Sequence, residues 1–246
     1  MRVLTLSPSI VDRFYALRTG KSDKWGVTTQ SFIKDLLTRR EMTESASKGT
    51  AYHLLFENGL EKYRTTLLEA SEIENRRYCS GIPNGLANTS VYAVYEEEFN
   101  VTWIFNEAEA SHVQIFRDTF PDCQYEIWCQ KEYRIKSLPV VMRMRLDAVD
   151  GLDAGDIKTS KYMASFEERL NSFQWKCYMD ALPELQTFTF HQYQWAKATR
   201  NIKYQAWTLD RTHIIGDELE NEIQLVVEFL QQYPQVIEKR TKEIKL

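Results

Sequence analysis

Leu146-Asp147-Ala148-Val149-Asp150-Gly151 and Gly155-Asp156-Ile157-Lys158-Thr159-Ser160 stand close together near the middle of the chain. The first run reads as a strand ending in an Asp-Gly turn, the second as a strand returning from it. Alternate side chains of a strand share a face, so Asp156 and Lys158 point the same way. A hairpin that folds back brings Asp147, nine positions before Asp156, to the same end of the sheet. Two carboxylates placed there can bind a hard divalent cation through oxygen. A neighbouring ammonium can act on a water or a phosphate, and the grouping suits metal-assisted hydrolysis of a phosphodiester. Taken alone, Asp-x-Lys is a common triplet and most instances are solvated turns, so the flanking segments decide its meaning.

Outward from this hairpin, periodicity gives the surroundings. Residues 8–18 and 28–40 carry apolar side chains at three- and four-residue spacing and are expected to be helical. Residues of about 45–70 are expected to form a longer helix that contains His53. Ser71 to Thr89 is polar and reads as a loop around Gly81-Ile82-Pro83-Asn84-Gly85. Asn106 can cap a helix over 107–120. Strands are expected at 125–136, 139–149 and 154–159, then a helix over 166–182 ended by Pro183. Strands at about 186–196 and 202–209 and a helix at 217–232 complete the chain. Helices, three strands, helix, strand is an α/β order: a central mixed sheet flanked by helices, with helical additions at both ends.

A chain of 246 residues can bury a substantial core. Gly (9) and Pro (6) are scarce and no linker-like stretch divides it, so residues 1–246 are expected to form a single domain. No apolar run is long enough to span a bilayer, and Met1-Arg2-Val3-Leu4-Thr5-Leu6 lacks the apolar core of a signal peptide. Cys79, Cys123, Cys129 and Cys177 form no CxxC pair, so free thiols in a reducing cytoplasm are expected. The net charge of −4 argues at first against a nucleic-acid partner, but overall charge governs solubility more than site chemistry. Basic residues are dense locally: Lys131, Arg134, Lys136, Arg143 and Arg145 beside the central strands, and Lys197, Arg200 and Lys203 near the later ones. Each of them also reads as an ordinary solvated charge.

Two further segments carry chemistry. Upstream lies Gly49-Thr50-Ala51-Tyr52-His53-Leu54-Leu55-Phe56-Glu57, and downstream Phe173-Gln174-Trp175-Lys176-Cys177-Tyr178. With the central hairpin they make an ordered set: Gly-x-x-x-His on a helix, a strand Asp, Asp-x-Lys on a strand, and Gln-x-x-x-Tyr on a helix. This set resembles the RecB-like branch of the PD-(D/E)XK nuclease superfamily, and by pattern the phage-type RecE and Cas4-like exonucleases. Leu6-Ser7-Pro8-Ser9 followed by Phe14 also looks like the start of such domains, so the resemblance spans roughly residues 6 to 180. It implies a restriction-endonuclease-like α-β-β-β-α-β core. It departs from the family where Arg143-Met144-Arg145-Leu146 fills a place at which relatives often have glycine.

The resemblance implies that His53, Asp147, Asp156 and the Ile157 carbonyl hold one or two Mg²⁺ or Mn²⁺. An imidazole ligand makes Mn²⁺ comparatively welcome. On its own, His53 reads more readily as a half-buried helix residue than as a ligand. Glu57 shares its face at i, i+4 and either orients the imidazole or is a surface charge. Asp147 competes with Asp150 and Asp153 for the first carboxylate and is favoured by its place at the end of an apolar strand. Lys158 competes with Lys161, whose spacing is wrong. Lys158 is expected to take a positioning and electrostatic role, orienting the attacking water rather than serving as a free base. Gln174 and Tyr178 share a helix face. They either pack beside Trp175 and Phe173, or brace the lysine and bind substrate phosphate.

The function expected from the resemblance is a DNA exonuclease acting from ends in recombination or repair in a phage or prophage setting, leaving a 5′-phosphate and a 3′-hydroxyl. A homo-oligomeric ring around DNA and a single-strand annealing protein are the partners it suggests. A non-catalytic DNA-binding or scaffold module of the same fold, and a site-specific endonuclease, are the alternatives. No iron–sulfur cluster is expected. Relatives that carry one place a cysteine before the His motif and three near the C-terminus, and here no cysteine precedes His53 or follows Cys177.

Overall fold

A two-residue turn at Lys136–Ser137, where Lys136 takes φ 55°, folds the two longest strands into a hairpin on which the molecule is arranged. The computed structural model describes residues 2–21, 27–38, 41–79, 87–160, 162–195 and 202–243. The first part of the chain runs β1 (Arg2–Leu6), α1 (Pro8–Arg18), α2 (Thr29–Leu37), α3 (Glu44–Asn58), β2 (Arg64–Thr66), α4 (Leu67–Glu72), β3 (Arg76–Tyr78), β4 (Ser90–Glu96), β5 (Val101–Asn106) and α5 (Glu107–Thr119). Then follow the hairpin β6 (Gln124–Ile135) and β7 (Leu138–Asp150), β8 (Asp153–Ser160), α6 (Phe166–Leu170), α7 (Phe173–Ala181), β9 (Thr187–Trp195), β10 (Ile202–Asp210), α8 (Glu218–Leu230), α9 (Pro234–Arg240) and β11 (Thr241–Glu243).

The main sheet has seven strands in the order β10-β9-β8-β7-β1-β11, with β6 also paired to β7. It is mixed and flanked by helices, the α/β class expected from the sequence. β6 runs antiparallel along β7 from Gln124↔Val149 to Ile135↔Leu138. With one edge of β7 so occupied, the other is divided between two partners. β8 pairs with its end, Ala148↔Gly155 to Asp150↔Asp153, and β1 pairs in parallel with its beginning, Leu4↔Val140 to Leu6↔Met142. Residues 143–147 therefore have no strand partner on that edge. β8 leaves β7 there and continues in parallel beside β9, from Asp153↔Thr187 to Ser160↔Gln194. The result is a fork in the sheet, and Asp147, Asp156 and Ile157 lie at it.

Two cores lie on the two faces. Val140, Met142, Met144 and Leu146 of β7 pack with α1, α2, α7, α8 and α9; the apolar stripe Leu219, Ile223, Val226, Val227 and Leu230 of α8 is buried here. Ala148 and Ile157 belong instead to the second core, with Tyr52, Leu55 and Phe56 of α3, Val113 and Phe116 of α5, and the smaller sheet β2-β4-β5-β3. Strict alternation would put Leu146 and Ala148 on one face. Their separation marks an irregularity of β7 at Asp147. Opposite it Glu126 takes φ 57°, a conformation uncommon for a residue with a side chain.

The structure corrects several expected boundaries. The helix that carries His53 ends at Asn58, not near residue 70, because Gly59 adopts φ 82° as its C-cap and its N–H returns to the Leu55 carbonyl. The helix expected over 166–182 is two, interrupted at Asn171–Ser172, and Ser172 caps the second. Residues 90–96 and 101–106 form the centre of the smaller sheet, which periodicity did not announce. Strands β1 and β11 accompany the helical additions at the two ends. The helix expected over 28–40 ends at Leu37, where Thr38 turns extended. The turn residues Gly81–Gly85, residues 39–40, and Lys161, Lys197 and Arg200 lie outside the described residues. No helix among the described residues is long and apolar enough to cross a membrane.

Candidate active site

The fork lies under α3. Thr43 caps this helix by accepting the Ala46 N–H (3.2 Å). Two buried side chains, Tyr52 and Ser47, set its height above the sheets. The Tyr52 hydroxyl donates to the Glu109 carbonyl (2.9 Å), and Ser47 donates to Glu96 (2.9 Å) while accepting from the Trp103 indole (2.8 Å). Gly49 faces β8 so closely that a Cβ there would lie 2.7 Å from Thr159 Oγ1. The glycine thus lets the helix descend onto the strand that carries Asp156 and Lys158. One turn further on, His53 reaches the fork, with Nδ1 3.8 Å from Asp147 Oδ2.

Where β8 parts from β7, the Ile157 N–H loses a strand partner and donates instead to Asp147 Oδ2 (2.8 Å). The Ile157 carbonyl faces the His53 ring and favours its protonated form. A strand residue presents its N–H and C=O to the same edge, so one residue engages both side chains. His53, Glu126 and Asp147 form a trio whose ligand atoms all lie within 4.8 Å of one another. Sequence reasoning missed Glu126. Its signal is one of register: residues equidistant from the Lys136–Ser137 turn oppose each other, and Glu126 and Asp147 are equidistant. Arg145 Nη1 is 2.6 Å from Glu126 Oε2.

Asp156 stands beside this trio and is almost fully buried. Lys158 on the same strand face donates to its Oδ1 (2.8 Å), and so does the Gln174 amide from α7 (2.7 Å). Its Oδ2 is buried without a hydrogen bond, 2.7 Å from Lys158 Nζ. Gln174 is therefore turned to the carboxylate, not to the lysine. Tyr178 is buried, stacked on Phe188, and donates to the Arg145 carbonyl (2.7 Å), which ties α7 to β7. The N-terminus of α7 is held by Asp12 of α1, also missed in the sequence. It accepts from the Ser172 hydroxyl (2.8 Å) and the Phe173 N–H. Glu57 is exposed and lines the cleft, and among the described residues it makes no hydrogen bond to His53.

The electrostatics are those of acids crowded in a partly dry place. Burial, then the charge of Asp156, pushes Asp147 up to about 7. Burial also raises Glu126, with Asp147 adding to it and Arg145 opposing. Burial lowers His53, against the pull of Asp156, and so favours the neutral imidazole that binds metals. Ligands at roughly 2.0–2.6 Å from one ion can span such a trio. A nitrogen donor and two carboxylates fit a divalent cation, with Asp156 beside them held in an ion pair to Lys158. Lys131 and Lys136 spend their charge on Asp180 (2.9 Å) and Glu228 (2.8 Å) away from the cleft, whereas Arg143 and Arg145 are exposed on its side of the hairpin.

The site opens into a cleft of about 350 Å³ lined by α3, Glu126, Arg145, Asp147 and residues 157–159. No protein-family model matches the chain, and no curated protein matches it. Among solved structures it is similar to SSO0001, with a TM-score of 0.38 and 12% identity over 72% of this chain and 84% of that one. It is also similar to Rai1 of Scheffersomyces stipitis, with a TM-score of 0.25 and 11% identity over 59% of each chain. A structure of that protein with (3'-NADP)+ and calcium ion gives a TM-score of 0.25 and 11% identity over 63% of this chain and 61% of the other. These distant likenesses assign no activity.

Proposed function

We propose that the chain is a divalent-metal-dependent deoxyribonuclease that hydrolyses phosphodiesters from DNA ends. The observation that carries it is the joining, at one fork, of His53, Glu126 and Asp147 with the buried Asp156 and its partner Lys158. His53, Glu126, Asp147 and Asp156 would hold Mg²⁺ or Mn²⁺, with the Ile157 carbonyl beside them. A bound cation supplies charge neutralisation at the phosphate and an acidified water. Lys158, held by Asp156, has its ammonium at the mouth of the site, where it orients a water or a phosphate oxygen. Gln174 fixes the rotamer of Asp156 from α7. Tyr178 and Asp12 position that helix and touch no substrate.

End dependence rests on the resemblance. The products would carry a 5′-phosphate and a 3′-hydroxyl. The setting would be recombination or repair in the cytoplasm of a bacterium or phage-infected cell, beside a single-strand annealing protein. A homo-oligomeric ring would line one channel with Arg143 and Arg145.

Digestion of linear DNA in Mg²⁺ or Mn²⁺, beside covalently closed circles of the same sequence, tests this reading. Linear DNA should be degraded and the circles spared, and Asp156→Ala should remove the activity while the fold survives. Wild-type rates in Asp156→Ala would exclude the site. Efficient cutting of closed circles would exclude strict end dependence and favour an endonuclease.

A further inference from the structure

We propose that the exposed face of the β6–β7 hairpin is a track for an unpaired DNA strand, with Trp128 as a base-stacking platform and Arg145 and Arg143 as phosphate contacts. This rests on the nuclease reading and names the form of its substrate. Trp128 is 71% exposed, although tryptophan is on average a highly buried residue. Its direct cross-strand partner is Arg145, whose guanidinium carbon stands 5.7 Å from the ring centroid. The next pair on the same face is Gln130↔Arg143, and Arg143 makes no ion pair among the described residues. One step the other way stand Glu126 and Asp147 of the metal-binding trio.

The face thus runs from acids, to Trp128 with Arg145, to Gln130 with Arg143. Two-residue steps along a strand are about 7 Å, comparable to one nucleotide of an extended strand. A chain with one phosphodiester at the fork would lay its next phosphates along the arginines. Bases inside a duplex are stacked on each other and have no free π-face to offer, whereas an unpaired base does. The indole therefore selects a single strand or a frayed end. A protein partner fits less well, because Trp128 is the one large exposed apolar side chain among the described residues of this hairpin. Glu132 beyond Gln130 interrupts the favourable charge before Arg134, which stands opposite Pro139. Arg145 joins the two regions, since it also pairs with Glu126 at 2.6 Å.

The test is the binding of a fluorescent oligothymidylate and of a blunt duplex, by anisotropy, with Ca²⁺ in place of Mg²⁺ or Mn²⁺ and the probe checked to be intact. Trp128→Ala should weaken single-strand binding about tenfold and leave duplex binding within about twofold, and Trp128→Tyr should retain most of the affinity. Arg143→Ala should weaken binding of any sequence and lower the salt slope by about 1. Unchanged oligothymidylate binding by Trp128→Ala, an equal loss for duplex, or no binding by the wild type would each overturn the track. A wild type that binds the oligothymidylate but never cuts DNA in Mg²⁺ or Mn²⁺ would overturn the nuclease reading and support the track. A wild type that cuts single strands, matched in binding and rate by Trp128→Ala, would do the reverse.

Discussion

The Ile157 N–H donates to the Asp147 carboxylate at 2.8 Å, across the gap that opens where two strands part. The bond satisfies an amide that the ladder has abandoned, since a buried N–H without a partner is costly. It also fixes the rotamer of an acid whose charge is disfavoured by burial and by Asp156. Asparagine keeps an acceptor for that amide and removes the charge. In Asp147→Asn, cleavage should fall by at least about a hundredfold, as expected for loss of a metal ligand. At pH 8 in EDTA, its melting temperature should equal or exceed that of the wild type. A calorimetric scan that showed a large loss of stability would mean that the charge itself holds the fork together.

Gly49 permits the approach of α3 to β8. Alanine there gains helix propensity worth about 1 kcal/mol. It also puts a methyl 2.7 Å from Thr159 Oγ1, and overpacking typically costs about 1–3 kcal/mol. Gly49→Ala should therefore be neutral to moderately destabilised, while the retreat of α3 lifts His53 from Asp147 and cuts activity more than tenfold. Thr159→Ala removes the obstructing oxygen, so the double variant should recover much of the lost rate. Failure of the double variant to recover any activity would place the role of Gly49 elsewhere.

The central hairpin was readable because its signals are local. Asp150-Gly151 is a turn, the apolar runs before and after it are strands, and Asn106 does cap α5, by accepting the Glu109 N–H. What escaped was set by distant partners. The end of α3 hinges on one glycine, and the apolar Leu60, Leu67 and Leu68 beyond it continue a helical pattern into different elements. β5 is buried at five of its six positions, so it shows no alternation, only β-branched and aromatic residues. Glu126 enters the site through register and a positive φ. Asp12 meets α7 from the far end of the chain. The structure brings His53, Asp147, Asp156, Lys158 and Gln174 to the fork, and Tyr178 meets them through Gln174, whose amide donates to its hydroxyl at 3.4 Å, while its own hydroxyl donates to the Arg145 carbonyl.

Metal binding should follow the acids, not the histidine. Protons compete with the metal for each ligand. Asp147, raised to about 7, is held protonated below neutrality, so the affinity it confers is present above about 7 and lost as pH falls through that value; burial moves Glu126 in the same direction. Burial lowers His53, so its share of the slope lies at lower pH than that of a free imidazole. Isothermal titration with Mn²⁺ should show affinity climbing steeply from pH 5.5 to 7, levelling by pH 8, with proton release below 7. A profile flat across that range would contradict the crowding of acids at the fork.

Asp12 and Gln174 act on the same carboxylate from different distances, and their variants should separate accordingly. Asp12 accepts the Ser172 hydroxyl and the Phe173 N–H at the start of α7. Burial raises its pKa, but those two bonds oppose the shift and keep it a good acceptor. Asp12→Ala strands a buried N–H, which typically costs about 1–3 kcal/mol. It also frees the first turn of α7, so stability and cleavage should fall together. Gln174→Ala removes one donor to Asp156 at 2.7 Å and leaves the helix anchored by Tyr178. Its melting temperature should stay within about 2 °C, as for a change that empties no core volume, while the cleavage rate drops roughly tenfold or more. Gln174→Glu sets an acid against an acid and should lose more rate than alanine does. If Gln174→Ala were as unstable as Asp12→Ala and no slower per folded molecule, the contact with Asp156 would serve the fold rather than the site.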